Sequence, residues 1–207
     1  VGQHPDNAQL RLALGQLLRE QGLIPAALSA LRQAARLEPD DPETLTNLGD
    51  LLKQMASYQE AITVLEKVAA LLPSSSQAKL NLAEAYLAVK DYAHAKALLT
   101  AVIATEDDNG LAHHDLSLVY EAEGEMAAAL DEATRAIARL PERADLHSHR
   151  ARLLARCGAT AQAVQEAQRA VDLAPDDSES LITLAALLKQ SGRAEEALAW
   201  YGHAAEV

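Results

Sequence analysis

The sequence predicts an all-α chain of tandem helix pairs, and three observations carry that expectation. The first is a repeat. Pro39, Pro73, Pro141 and Pro175 stand 34, 68 and 34 residues apart, and Asp107 fills the missing step. A period of this length accommodates two helices and their turns. The second is composition. Apolar residues make up 49% of the 207, yet there is no Phe, one Trp, five Tyr and a large share of Ala. Small side chains suit closely approaching helices better than a pleated sheet. The third is spacing: Leu45, Leu48, Leu51 and Leu52, then Ala61, Ile62, Val64, Leu65 and Val68, recur at three- and four-residue steps.

Aligned on the period without insertion or deletion, the chain divides into units 8–41, 42–75, 76–109, 110–143, 144–177 and 178–207. The first opens at Ala8, with Leu14, Gly15 and Leu18 at places seven, eight and eleven of its first helix and Ala27 at place twenty of its second. The second repeats this as Leu48, Gly49, Leu52 and Ala61, and the third as Leu82, Ala83, Tyr86 and Ala95. The fourth has Leu116, Ser117, Tyr120 and Ala129. The fifth departs at place seven, where Arg150 stands before Ala151, Leu154 and Ala163. The sixth returns to Leu184, Ala185, Leu188 and Ala197 and reaches its thirtieth place at residue 207. Gly22, Gly124, Gly158 and Gly192 fall at place fifteen, where a first helix must end in a left-handed turn. The small residues at places eight and twenty are expected to let paired helices approach closely. Each pair keeps an apolar flank that only stacking on its neighbours buries.

These six copies in register resemble the tetratricopeptide repeat family over nearly the whole chain. The family pattern is a 34-residue helix–turn–helix with a large residue, Leu, Gly and Tyr in the first helix, Ala positions in the second and a closing Pro. The resemblance implies an α-solenoid, a right-handed superhelix whose first helices line a concave groove and whose second helices form the back. It also fits residues 1–7, with Pro5 in the proline place, to the end of a preceding unit. The chain is accordingly expected to be part of a longer array.

Charge sets the expected partners. Thirty acidic against eighteen basic residues give a net charge of −12, which argues against nucleic acid. No apolar run approaches the ~20 residues of a membrane span, so no membrane insertion is expected. The single cysteine, Cys157, excludes an internal disulfide and reads as a small packing residue rather than a nucleophile. No phosphate loop, HExxH, GxSxG or paired CxxC is present, so no enzyme activity and no cofactor are expected within these residues.

In the resembling family the groove displays places 2, 5, 6, 9, 12 and 13. Here these include Asn47, Asp50, Lys53, Asn81 and Glu84, then His114, Asp115 and Glu121, then His149, Arg152 and Arg156. The partner expected there is a protein or peptide. Asn47 and Asn81 resemble an asparagine ladder, because an amide both donates to and accepts from a peptide group; the plain alternative is that Asn is common at this place. A clamp for a partner's C-terminal carboxylate is not expected: Leu12, Gln16, Asn47, Gln77 and Asn81 occupy its places, and its basic members are absent. The resemblance equally admits a recognition arm of a larger bacterial enzyme, glycosyltransferase- or sulfotransferase-like, or of a secretion or polysaccharide-export system.

Two charge patterns stand out. Acidic residues from Glu106 to Glu132 are followed by Arg135, Arg139, Arg143, Arg150, Arg152 and Arg156. They form either a two-signed groove that orients a partner or neighbouring faces that neutralise each other. His113, His114, His147 and His149 cluster in two first helices with Asp115. His113 and His147 stand at the fourth place and are expected to pack between helices, so no metal site is expected. Arg150 is expected to reach an acidic side chain of the fourth unit. In the last helix, some of the apolar residues Leu198, Trp200, Tyr201 and Ala204 are expected to face outward as a patch that favours self-association.

Overall fold

In a computed structural model that describes residues 7–207, the chain is all-α, with twelve helices among those residues. They are α1 (Ala8–Glu20), α2 (Ile24–Leu37), α3 (Pro42–Gln54), α4 (Tyr58–Leu71), α5 (Ser76–Ala88), α6 (Tyr92–Ile103), α7 (Gly110–Glu123), α8 (Met126–Arg139), α9 (Ala144–Arg156), α10 (Thr160–Leu173), α11 (Ser178–Gln190) and α12 (Ala194–Glu206). The reading of residues 1–6, Pro5 included, lies outside the described residues. The chain forms two compact units, 1–99 and 100–207.

In the first unit α1 packs on α2 and α3 on α4, while α2 also meets α3 and α4 meets α5. The contact within a pair is close because of the small residues. A Cβ added at Gly15 would stand 2.7 Å from the Leu31 side chain, and one at Gly49 would stand 2.6 Å from that of Leu65. Ala27 and Ala61 are completely buried on the facing helices. Leu31, Leu51, Leu52 and Leu65 are buried in this core, each worth about 2 kcal/mol relative to exposure.

The second unit stacks in the same way: α7 on α8, α9 on α10 and α11 on α12, with α8 against α9 and α10 against α11. Its core joins Ala151, Ala163 and Ala167 to Leu181, Leu184 and Leu188, with Trp200 and Ala204 packed against it. The apolar residues of α12 divide between core and surface. Trp200 and Ala204 turn inward, whereas Leu198 (73% exposed) and Tyr201 remain at the surface.

The turns explain the glycines. Gly22, Gly124, Gly158 and Gly192 all have φ between 73° and 85°. Ala56 and Lys90 occupy the same place with φ of 55° and 62°, so this backbone is imposed even without glycine. Five of the first helices are capped by a side chain at their start. Asn7, Asp41, Ser75, Asn109 and Asp177 each accept from a backbone N–H of the first turn that follows. Arg143, before α9, makes no such cap.

Candidate functional site

In the first unit the polar side chains of α3 and α5 are already engaged with one another. The Asn47 amide donates to the Glu43 carbonyl at 2.9 Å, and its oxygen accepts from Gln16 of α1 at 3.4 Å. Asn81 is buried, and its oxygen accepts from the Gln77 amide at 2.7 Å. Lys53 lies between Asp50, at 3.3 Å, and Glu84 of α5, at 2.7 Å. Burial alone would lower the Lys53 pKa, but the hydrogen bond and charge of Glu84, with Asp50, outweigh it and leave the ammonium more firmly protonated than usual.

In the second unit the first helices are bridged by ion pairs. Arg156 of α9 donates to Glu121 of α7 at 2.5 Å, and Arg152 donates to Glu179 of α11 at 2.8 Å. Arg135 meets Asp131 at 2.9 Å, Arg143 meets Asp145 at 2.5 Å, and Arg139 lies 3.9 Å from Asp107. The arginine run thus pairs with neighbouring acids, as in the neutralising alternative. His114 and Asp115 are half-buried on α7.

His149 is 1% exposed and lies beneath the surface. Ser117 Oγ donates to the Ala129 carbonyl at 2.8 Å, so its lone pair accepts from His149 Nε2–H at 2.9 Å. This fixes the neutral tautomer. Nδ1 is left without a hydrogen bond, 3.7 Å from Glu121 Oε2. The ring stands edge-on to that of His114, with centroids 5.2 Å apart. Burial, then the nearby charges of His114 and Arg152, push the His149 pKa down to about 3. Burial lowers His114 as well.

His113 and His147 lie buried between helices and are built alike. His113 Nδ1 meets Glu132 Oε2 at 2.5 Å and its Nε2 meets the Asp107 carbonyl at 3.0 Å. His147 Nδ1 meets Glu166 Oε2 at 2.9 Å and its Nε2 meets the Pro141 carbonyl at 3.0 Å. Among the described residues no group of three or more His, Cys, Asp or Glu is placed to hold a metal ion, and no helix is long and apolar enough to cross a membrane.

Two sequence expectations need correction. Arg150 pairs with Glu166 of α10, in its own helix pair, not with an acid of the preceding one. A side chain at the seventh place faces the second helix of its own pair, which is why that carboxylate is the nearer. Cys157 is exposed at the end of α9 and packs no core. Glu132 and Glu166 were missed altogether, although each stands 19 residues after its histidine.

Comparison with known proteins places the whole pattern. Family profiles described as Tetratricopeptide repeat match residues 52–117 and 114–178, and one described as TPR repeat matches residues 15–56. MamA from Desulfovibrio magneticus RS-1 is similar at 27% identity and a TM-score of 0.72, over 82% of this chain and 96% of that one. TTC0263, described as a thermophilic TPR protein in Thermus thermophilus, is 24% identical with a TM-score of 0.73, over 88% and 99% of the two chains. YrrB, described as a TPR protein with an unusual peptide-binding site, shares the fold at 18% identity and a TM-score of 0.64, over 85% and 91%. No curated protein matches the chain by sequence.

Proposed function

This chain belongs to the tetratricopeptide repeat family, and from that premise we propose that it is a scaffold whose first-helix face binds an extended peptide or a helix of a partner protein. One observation carries the reading: side chains on that face are held in place before any partner arrives. In the first unit these are Gln16–Asn47 and Asp50–Lys53–Glu84; in the second they are Glu121–Arg156 and Arg152–Glu179. Polar groups fixed in advance lose little side-chain entropy on binding. Alternating signs along the face set the register of a partner and steer its approach. No catalytic role is assigned to any residue.

Selection from a displayed peptide library, followed by calorimetry, tests this. Lys53→Ala is expected to weaken a peptide held by the first unit, and Arg156→Ala one held by the second, about tenfold each, the range for a hydrogen bond to a charged group. Unchanged affinity in both variants overturns the reading. Self-association is the second reading, favoured by Leu198 and Tyr201, one helical turn apart on the surface of α12. Sedimentation over a concentration series tests it, and a strict monomer rejects it.

A further inference from the structure

The second-helix side of the second unit holds a polar cleft that the first-helix face does not explain. Its volume is about 410 Å³, and Leu130, Thr134, Arg150, Leu154, Gln162 and Glu166 are among its walls. The other helix pairs carry Leu at the place of Arg150. Arg150 is instead 23% exposed by its side chain, and among the described residues its guanidinium makes one hydrogen bond, to Glu166 Oε1. The other oxygen of Glu166 is taken by His147. Arg150 Nε–H is consequently buried without a partner.

Glu166 divides its two oxygens between His147 and Arg150, so no full carboxylate faces the guanidinium, whose Nε–H stays unpaired. This donor without an acceptor occurs in a chain whose net charge is −12. A carboxylate complements such a group, and guanidinium–carboxylate pairing is the strongest match available to it. The cleft is larger than a carboxylate needs. Leu130 and Leu154 offer apolar contact, and the Gln162 amide both donates to and accepts from a peptide group.

We propose that this cleft is a second docking site, which takes a Glu or Asp side chain presented by a peptide segment of a partner protein. It lies on the opposite side of α9 from Arg152 and Arg156 and does not depend on the first-helix face binding anything.

The test uses the ¹⁵N-labelled chain, read by the arginine Nε–H signals and, in the variants that lack Arg150, by the backbone amides of the residues that line the cleft. The probes are a short capped peptide with one Glu beside a Leu, the same peptide with Gln, and glutarate. The Glu peptide is expected to shift the Arg150 Nε–H signal saturably, at least about tenfold more tightly than the Gln peptide or glutarate. Arg150→Leu restores the residue of the other pairs and is expected to fold and to abolish the binding. Arg150→Lys keeps the charge without the fork and is expected to weaken it. No saturable shift with the Glu peptide, or the same affinity in folded Arg150→Leu, overturns the proposal. Equal affinity for glutarate and the peptide also overturns it, because the cleft then takes a free carboxylate and not a peptide segment.

Discussion

The α7–α8 and α9–α10 pairs contain the same buried device and use it differently. In both, a histidine of the first helix spans a carbonyl of the preceding turn and a glutamate of the second helix. Beside it α7 places Leu116, 4% exposed, and the device only closes the core. At the same place α9 carries Arg150, so Glu166 divides between a histidine and a guanidinium where Glu132 serves mainly its histidine. Glu132 also has a cation, Arg135, but at 3.8 Å. The start of α9 differs too. Asn109 caps α7 through its side chain, whereas Arg143 leaves α9 uncapped and pairs with Asp145. Arginine in place of leucine puts a polar cleft where α7 has a packing position.

Removing the carboxylates breaks this comparison most strongly. Glu166→Ala leaves both Arg150 and His147 without their shared acceptor and is expected to cost about 3 kcal/mol in urea unfolding. Glu132→Ala leaves His113 without its acceptor and is expected to cost about 2 kcal/mol. Equal losses would show that Arg150 draws nothing from Glu166.

Acid gives the next effect. The His149 pKa is lowered in the folded chain from 6.5 to about 3, so the stability it contributes is complete above 6.5 and is lost as pH falls from 6.5 towards 3. Between pH 6.5 and 5 the wild-type chain is expected to lose up to about 1.4 kcal/mol per pH unit more than His149→Gln, by unfolding at a series of pH values. Parallel curves for the two chains would contradict the buried, neutral ring.

The smallest effect sharpens the contrast between helix starts. Asn109→Ala is expected to destabilise by about 1 kcal/mol. Arg143→Asn is expected to stabilise by at most about that much, less the small contribution of its exposed ion pair. Matched changes of opposite sign in the thermal midpoints check this.

What the sequence made legible follows from what repeats. Places seven, eight, fifteen and twenty describe contacts within one helix pair, and a fixed period displays them directly. Ala27, Ala61, Ala129 and Ala163 are all completely buried, and the place of the turning glycines is left-handed even at Ala56 and Lys90. The family profiles and solved structures support the all-α repeat reading on independent grounds. Pairings between helices were less visible, because a period does not say which rotamer reaches which neighbour. The burial of His149 depends on Ser117 and on a carbonyl of α8, in the preceding pair. The partner of Arg150 depends on how Glu166 divides its two oxygens. The 34-residue recurrence of Glu132 and Glu166 was present in the sequence, but it became meaningful only once each was seen against its histidine.

The ties of α9 govern how the second unit breathes. The helix is joined to α7 through Ser117–His149 and Glu121–Arg156, and to α11 through Ser148–Ser180, at 3.1 Å, and Arg152–Glu179. Two of these four links are buried, so α9 cannot loosen alone without leaving polar atoms dry and unpaired. In deuterated solvent its amide protons should therefore exchange together and slowly, in step with the opening of both flanking helices. Although it has the most polar sequence among the first helices of its unit, α9 is the latch of that unit.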